Sequence, residues 1–274
     1  MTSTPEKPAT APAPPPANQP GTVGWFDLMT TSPKDAYRFY GRLFTWSFEL
    51  TGPDTGGYAM AMSAGRPAAG IGGLPPDAPQ RSTWSVYFIS ADADATAARI
   101  KEHGGAVVMG PHDVPGQGRM IVATDPGGAT FGVWQPGGHP GAGARDEHGA
   151  MAWCEVNTRD SARARAFYAA VFDLEPRKLA APGIEYWTLH RGDLTVAGVL
   201  QMDGHWPAEV PEHWMPYFQL TDVDGALEEI AALGGTVCVP PFDSPYGRIA
   251  VLGDPQGATF SVMTPPPPPP EPAA

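Results

Sequence analysis

Two stretches of this sequence decide its fold, because one is a copy of the other. Residues 24–44 read GWFDLMTTSPKDAYRFYGRLF, and residues 152–172 read AWCEVNTRDSARARAFYAAVF. At an offset of 128 residues, both stretches carry a tryptophan, an acidic residue two positions later and a Phe-Tyr pair inside a helical pattern. A repeat of this kind indicates an architecture built by duplication.

The repeat continues to the end of each half. A Trp-x-x-Tyr-Phe motif begins at Trp84 and again at Trp214. Each half then closes on a turn motif, DPGGATF at 125–131 and DPQGATF at 254–260. Because these matches keep their order along the chain, they predict two homologous domains in tandem.

The prolines predict where the domains begin and end. Of the 34 prolines, 14 fall within residues 1–20 and 265–274. Segments of Pro and Ala bury too little apolar surface to offset their ordering entropy, so we predict that both tails are disordered or polyproline II. The sequence therefore predicts domains at 21–136 and 150–264, with the Gly- and Pro-rich residues 137–149 as a linker.

Each half divides into two units in which a strand and a helix precede several short strands. In the first unit, Ser32 is the predicted N-cap, and Pro33 stands at the first helical position. Apolar residues then recur with the helical period over 36–44. Phe39 and Tyr40 are therefore predicted to be core residues of an amphipathic helix.

Composition excludes several classes of protein. The formal net charge is −12 and basic residues form no cluster, which argues against nucleic-acid binding. No apolar run approaches the roughly 20 residues of a membrane helix, and the N-terminus lacks the pattern of a signal peptide. Two cysteines, Cys154 and Cys238, form no disulfide framework, so we expect a cytoplasmic protein.

The motifs together resemble the vicinal oxygen chelate superfamily, which includes glyoxalase I, extradiol dioxygenases and bleomycin-resistance proteins. Within it, the chain is most similar to a tandem-domain actinobacterial subgroup labelled hydroxylases. The motifs that carry this resemblance include Trp153-x-Glu155, Trp214-x-x-Tyr217-Phe218, Asp222-x-Asp224, Gly234-Gly235, Gly247-Arg248 and Asp254-Pro255. The resemblance implies an α+β fold of two domains, each with two βαβββ units in one cupped, eight-stranded sheet. The concave face of each sheet is then the expected site.

The resemblance also implies a divalent metal, held by side chains from the first, fifth and last strands of a domain. The corresponding positions are Trp25, Ser85 and Gly132 in the first half and Trp153, Met215 and Ser261 in the second. Indole, glycine and thioether groups are not ligands for such cations at these sites. We therefore predict that neither cup binds a metal or another cofactor.

Strand alternation predicts which side chains replace the metal ligands. Side chains two residues apart share a face, so Asp27 points the same way as Trp25, and Glu155 the same way as Trp153. The further residues that we expect to contact a ligand are Tyr87, Trp134, Tyr217, Gln219 and Ser261. A mostly apolar lining with a few polar groups is typical of a small-molecule pocket, although a packed core has the same composition.

Asp27 and Glu155 are the candidate catalytic residues. A carboxyl group beside an indole is partly desolvated, which favours its neutral form and suits a general acid or base. Two structural roles are alternatives. The carboxylates could pair with Arg119 and Arg248, which occupy matching positions in the repeat, or they could face solvent.

The sequence thus predicts a metal-independent protein that acts on, or assists chemistry on, a bulky aromatic, polyketide-like metabolite in secondary metabolism. A binding protein that sequesters an aromatic antibiotic is one alternative, and a metal-dependent lyase or dioxygenase of the glyoxalase type is another. The expected partner is an aromatic small molecule, with no nucleic acid and no membrane. Both a monomer and a homodimer are compatible with the fused halves.

Overall fold

The structure is a computed structural model of the chain, and it describes residues 18–52, 57–78, 80–180 and 183–265. Nearly all of both predicted tails, 1–20 and 265–274, lies outside these residues. Asn18 is an informative exception. Its side chain is buried and its Nδ2 donates a hydrogen bond to the carbonyl of Ala142 over 2.9 Å. The packed part of the chain therefore starts before the boundary that the sequence predicts at residue 20.

Each half contributes eight strands and two helices. The first half contains β1 (Val23–Thr30), α1 (Pro33–Leu43), β2 (Ser47–Leu50), β3 (Ala59–Ser63), β4 (Arg66–Gly73), β5 (Thr83–Ile89), α2 (Ala93–Glu102), β6 (Ala106–Val114), β7 (Gly118–Thr124) and β8 (Thr130–Pro136). The second contains β9 (Met151–Thr158), α3 (Ser161–Phe172), β10 (Glu175–Leu179), β11 (Tyr186–Arg191), β12 (Leu194–Gln201), β13 (His213–Gln219), α4 (Val223–Ala232), β14 (Thr236–Ser244), β15 (Gly247–Gly253) and β16 (Thr259–Thr264).

The strands form two eight-stranded mixed sheets with the same topology. Their orders are β2-β3-β4-β1-β5-β8-β7-β6 and β10-β11-β12-β9-β13-β16-β15-β14. In the first sheet, β1 lies between β4, to which it is parallel, and β5, to which it is antiparallel. Strand β9 has the same neighbours in the second sheet, namely β12 and β13. This topology confirms the predicted fold of two tandem domains.

Helix α1 begins where the sequence predicts. Ser32 is the N-cap of α1, with Pro33 in the first turn, and Asp92 caps α2 by accepting a backbone hydrogen bond. Gly104 follows α2 with a φ of +86°, in the left-handed region that favours glycine. Within the described parts of the chain, every helix is too short or too polar to cross a bilayer.

The second aspartate of each Asp-x-Asp motif pairs with an arginine. Asp94 pairs with Arg119, and Asp224 pairs with Arg248 over 2.9 Å. All four side chains are at least a third exposed. The alternative in which these arginines neutralise the cup carboxylates is therefore wrong, because both guanidinium groups are bound to aspartates at the starts of helices.

A hydrogen-bond chain joins the two domains, and we call its members Trp84, Tyr40 and Asp254 the Tyr40 bridge. The Tyr40 hydroxyl donates to Asp254 Oδ2 over 3.0 Å and accepts from Trp84 Nε1 over 2.9 Å. Through Oδ1, Asp254 also accepts the backbone N–H groups of Gln256 and Ala258, at 2.9 and 2.8 Å. One carboxylate thus closes its own turn and holds the helix of the other domain.

The symmetric chain, the Tyr168 bridge, consists of Trp214, Tyr168 and Asp125. Tyr168 donates to Asp125 Oδ2 over 2.9 Å and accepts from Trp214 Nε1 over 2.8 Å. Nearby, the ring of Phe172 stacks on Phe88 of the first domain, with 4.1 Å between centroids. The helix aromatics that the sequence predicts as core are buried, but the core that they fill is shared by both domains.

The predicted linker is packed against the first domain. Ala142 and Ala144 are buried, and the backbone N–H of Ala142 donates to the carbonyl of Gly24 over 2.8 Å. The backbone N–H of Gly143 donates to the carbonyl of Pro67 over 2.8 Å. Small residues allow this close approach, so residues 137–149 form an ordered crossing past the first residues of β1 and β4, two interior strands of the first sheet.

Candidate functional site

Each cup contains a cluster of four side chains of the same kinds. The first cup cluster is Trp25, Asp27, Tyr58 and Tyr87, and the second cup cluster is Trp153, Glu155, Tyr186 and Tyr217. In both, the tryptophan and the carboxylate come from the first strand of the sheet, and one tyrosine comes from the fifth. The remaining tyrosine stands at or just before the third strand of its half. The clusters are therefore part of the repeat.

Strand pairing explains why the first cluster assembles. Trp25 stands opposite Tyr87 in the β1–β5 register, and Asp27 stands opposite Gly70 in the β1–β4 register. An ideal Cβ on Gly70 would lie only 1.6 Å from the Tyr58 hydroxyl. The missing side chain at Gly70 therefore leaves the space that the Tyr58 phenol occupies.

The second cup cluster is fully hydrogen-bonded at its carboxylate. Tyr186 donates to Glu155 Oε2 over 2.7 Å, and Tyr217 donates to Oε1 over 2.8 Å. Trp153 Nε1 in turn donates to the Tyr186 hydroxyl over 2.9 Å. Glu155 is only 6 % exposed, so these bonds replace the water that burial removes.

The first cup cluster has the same plan but leaves an oxygen without a partner. Trp25 Nε1 donates to the Tyr58 hydroxyl over 3.0 Å, and the hydroxyl groups of Tyr58 and Tyr87 lie close enough to Asp27 to favour its ionised form. Within the described residues, Asp27 Oδ1 is buried and has no hydrogen-bond partner. Aspartate is one methylene shorter than glutamate, which accounts for the difference from Glu155.

Burial makes Asp27 a group that titrates near neutrality. Desolvation raises its pKa from 3.8 to about 7, and the nearby hydroxyl groups of Tyr87 and Tyr58 oppose this increase. Burial also raises the pKa of Glu155, again against its hydrogen bonds from Tyr186 and Tyr217. A carboxyl group that is part neutral and part ionised at pH 7 can release or accept a proton in a reaction.

His139, from the predicted linker, covers the first cup. Its ring meets the Trp25 indole edge-on with 4.5 Å between centroids, and its carbonyl accepts a hydrogen bond from Trp134 Nε1 over 2.9 Å. Burial lowers the pKa of His139 to about 4, so the imidazole is neutral at pH 7. Its Nε2 is buried and has no hydrogen-bond partner in the described part of the chain.

The structure brings most of the predicted site residues together, in two separate groups. Trp25, Tyr87 and Trp134 are 5, 6 and 8 % exposed, and they surround Asp27 and His139. In the second cup, Trp153, Tyr217 and Gln219 are half-buried, and Ser261 is fully buried beside Tyr217 in the β13–β16 register. The second cup is therefore the more open of the two, and Gln219 is not part of its four-residue cluster.

Sequence reasoning missed three members of these sites, Tyr58, Tyr186 and His139. The repeat carried a signal for two of them. Tyr58 and Tyr186 are separated by the offset of 128 residues, and so are Gly70 and Gly198, which make room for them. His139 has no counterpart of this kind, because it lies in the segment between the repeats.

The cups do not offer the ligands that a divalent metal requires. Trp25 Nε1 is a donor already bound to Tyr58, and an ideal Cβ on Gly132 would lie 2.1 Å from Tyr87 Cδ1. The phenol ring of Tyr87 thus fills the place of a ligand side chain at 132. Among the residues that the structure describes, no three His, Cys, Asp or Glu side chains are grouped so as to hold a metal.

Two cavities of moderate size lie between the two halves rather than deep in a cup. One, of about 210 Å³, is lined by Trp153 together with Val23, Arg145, Met151 and Thr195. The other, of about 270 Å³, is lined by residues around Ser90 and Arg191. Only the first adjoins a predicted site residue, and it reaches one side of Trp153.

Replacing Gly198 with alanine should destabilise the protein by about 1–3 kcal/mol, which is typical of overpacking. The new Cβ would lie 2.0 Å from the Tyr186 hydroxyl and 2.9 Å from Glu155 Cβ, so Tyr186 must move away from Glu155. Urea denaturation followed by fluorescence measures the effect. Gly204→Ala is the matched control, since no atom lies within 4 Å of its ideal Cβ. If the two variants were equally stable, the Tyr186 phenol would not be held in place against Glu155.

Two family models match the chain. A model described as the Glyoxalase/Bleomycin resistance protein/Dioxygenase superfamily matches residues 22–133. A second, described as a glyoxalase-like domain, matches residues 153–263. Together they cover both domains.

Curated relatives span nearly the whole chain. "Putative glyoxylase CFP32" from Mycobacterium tuberculosis is 40% identical over 253 residues, which cover 89% of this chain and 95% of the relative. "Anthracycline biosynthesis protein DnrV" from Streptomyces peucetius is 36% identical over 258 residues, which cover 89% and 93%. The solved Mn(II)-bound glyoxalase from Novosphingobium aromaticivorans aligns with a TM-score of 0.60 at 13% identity, over 89% of this chain and 82% of that chain.

The last of these similarities shows the fold alone, because its sequence identity is low. The sequence matches show more than the fold, since they cover both domains, including the residues that form the bridges and the cups. On this basis, the chain belongs to the glyoxalase/bleomycin resistance protein/dioxygenase superfamily.

Proposed function

We propose that this protein binds a bulky, fused-ring aromatic metabolite in a cup and assists its chemistry in cytoplasmic secondary metabolism, without a divalent metal. The observation that carries the proposal is the cluster of tryptophan, two tyrosines and a buried carboxyl group in each cup, in which the tryptophan stands at a position that the resemblance assigns to a metal ligand. Aromatic faces suit a flat ligand, and the carboxyl group supplies the polar contact that orients it.

The relatives support the choice of ligand class. DnrV is named as an anthracycline biosynthesis protein, and an anthracycline is a fused-ring aromatic molecule. Aromatic side chains that stack on such a ring contribute about 0.5–1.5 kcal/mol each beyond the area that they bury. Trp25, Tyr87 and Trp134 in the first cup and Trp153 and Tyr217 in the second provide these faces.

The chemistry open to this site is proton transfer rather than Lewis-acid catalysis. The donor set of the cups does not fit a divalent cation, and the buried carboxyl groups are the groups in the two clusters whose pKa burial raises towards neutrality. A carboxyl group with a pKa near neutrality can protonate a ligand carbonyl or remove an acidic proton. Asp27, with a pKa of about 7, is better matched to this role than Glu155, whose two oxygens are occupied.

The test is a fluorescence titration of the full chain with 1,8-dihydroxyanthraquinone after dialysis against EDTA. We expect saturable binding that added Mn²⁺ does not strengthen. Trp206→Ala is the control variant, because it removes an indole outside both clusters and should leave the affinity unchanged. Absence of binding, or binding that requires Mn²⁺, would overturn the proposal.

Sequestration of an aromatic compound is distinguished from assisted chemistry by recovery of the natural ligand. Mass spectrometry of small molecules that co-purify with the protein identifies candidates for incubation. A ligand returned unaltered after long incubation, with undiminished affinity in Asp27→Asn, would favour sequestration. Conversion that slows in Asp27→Asn would favour acid–base catalysis by Asp27.

A further inference from the structure

We infer that the ligand occupies the first cup, between the carboxyl group of Asp27 and the imidazole of His139, and that it carries a carbonyl group and a hydroxyl group on a neutral fused-ring system. This inference rests on the proposed function and makes it specific. It names the working cup and assigns a binding role to His139, a residue outside the repeat.

The two clusters differ in what they leave unsatisfied. In the second cup, both oxygens of Glu155 accept phenol hydrogen bonds of 2.7 and 2.8 Å. In the first cup, Asp27 Oδ1 is buried without a partner, as far as the described residues extend. A buried polar atom without a hydrogen bond is unfavourable, and native structures retain few of them. A ligand atom at Asp27 Oδ1 would complete the first cluster as Tyr217 completes the second.

His139 supplies a second unsatisfied atom beside the same indole. Its ring contacts the Trp25 ring, and its buried Nε2 has no partner among the residues described. Asp27 lies two residues from Trp25 on the same face of β1, and Tyr58, which accepts a hydrogen bond from Trp25 Nε1, also lowers the pKa of Asp27. Two buried polar atoms without partners in the described residues thus belong to side chains next to one indole, and a flat ligand with two polar substituents would pair with both.

The second cup also has buried atoms without partners in the described residues, Asn157 Oδ1 and Ser261 Oγ. Both belong to neutral groups, and Asn157 already contacts His213 through Nδ2 over 3.1 Å. Neither atom can exchange a proton with a ligand near pH 7. The first cup alone therefore combines an open carboxyl oxygen with a neutral imidazole.

The character of the two groups defines the ligand. The protonated carboxyl group of Asp27 can donate to a carbonyl oxygen, and the neutral imidazole can donate to or accept from a hydroxyl group, according to its tautomer. An anionic ligand would have to be desolvated without a cationic side chain in the first cup cluster, which is strongly unfavourable. Hydroxyquinones and hydroxylated aromatic ketones meet these requirements.

Entry requires that the segment carrying His139 move. We call residues 137–140 the strap. The backbone N–H groups of Gly137 and His139 donate to the carbonyl of Gln117 over 2.8 and 3.1 Å, and that of Gly138 donates to Gly116 over 3.2 Å. Trp25 is only 5 % exposed beneath it. A few backbone hydrogen bonds next to two glycines form a cover that can open without disturbing the sheet.

The experiment compares 1,8-dihydroxyanthraquinone with anthraquinone, which lacks both hydroxyl groups, by fluorescence titration of the full chain. We expect the wild type to bind the dihydroxy compound about 10-fold more tightly, the value of about one good hydrogen bond. His139→Ala should bind both probes equally. His139→Phe should do the same, since it keeps a ring against Trp25 without the nitrogens. Asp27→Ala should weaken both probes about 10-fold.

His213→Ala is the matched control, because His213 is a largely buried histidine whose pKa burial lowers, and it lies by the second cup. We expect it to keep the wild-type preference. If Trp153→Phe weakens binding while His139→Ala and Asp27→Ala do not, the ligand is in the second cup: the inference is wrong, and the proposed function stands. A wild type that binds neither probe overturns both.

Discussion

Asp254→Ala is expected to lower the free energy of unfolding by about 3–5 kcal/mol, since it removes three buried hydrogen bonds to a carboxylate. Asp254 accepts two backbone N–H groups of its own turn and the hydroxyl of Tyr40 from the other domain. Alanine leaves these donors buried and unpaired. Because the Tyr40 bridge joins the domains through a shared core, both should lose stability together.

Urea denaturation with tryptophan fluorescence measures this effect. Asp125→Ala, the equivalent change in the Tyr168 bridge, should have a similar effect. Asp243→Ala is the matched control: its side chain is 86 % exposed and forms only a surface ion pair with Arg248, which contributes at most about 1 kcal/mol. Two separate transitions in Asp254→Ala, with one at the wild-type midpoint, would show that the domains unfold independently.

The second large effect concerns Asp27 and pH. Its pKa is about 7 in the folded protein and ordinarily 3.8, so between these values the folded state holds a proton that the unfolded state has released. This proton favours the folded state at acid pH, and the contribution is lost as the pH rises through about 7. Between about pH 5 and about pH 8.5, the contribution of Asp27 to the free energy of unfolding falls by about 3 kcal/mol. Asparagine does not titrate, so Asp27→Asn should lack this decline.

Paired urea titrations of wild type and Asp27→Asn at both pH values give the difference directly. On going from the lower to the higher pH, the free energy of unfolding of Asp27→Asn should rise by about 3 kcal/mol relative to that of the wild type. Glu155→Gln is the matched control. Relative to the wild type, its free energy of unfolding should change with pH in the same direction but by less, because both oxygens of Glu155 accept phenol hydrogen bonds, whereas Asp27 Oδ1 has no partner in the described residues. Identical pH dependence in Asp27→Asn and the wild type would exclude a raised pKa at Asp27.

The repeat made the fold predictable, because each of its motifs has a local structural reason. Asp92 caps α2 through its side chain, Gly104 follows that helix with a positive φ, and Ser32 stands at the N-cap position of α1 with its hydroxyl donating to Asp35 instead of capping. The Asp-Pro turns were recognised as turns, but their second role was not. Asp125 and Asp254 each bind a tyrosine of the opposite domain. These contacts depend on how the two sheets pack together, and the sequence periodicity of one domain cannot predict that packing.

The sequence predicts which site residues share a face of one strand, but not which residues from different segments meet in the site. Alternation placed Asp27 with Trp25 correctly, since one strand decides that relation. Tyr58 reaches the cluster from another strand, after a loop, and depends on the space at Gly70. His139 depends on the path of a segment without periodicity. The two residues that distinguish the cups most, Asp27 and His139, therefore become partners of one ligand only in three dimensions.

The reciprocal bridges also constrain the order in which the chain can fold during synthesis. The first domain is translated first, yet Asp125 and Phe88 find their partners on Tyr168 and Phe172 of the second. At roughly 5–20 residues per second, the ribosome adds the segment from 125 to 172 in roughly 2–9 s. During that interval the first sheet exposes an aromatic face that the second half covers once it is made. The stability of the first domain during synthesis therefore depends on continued elongation of the same polypeptide.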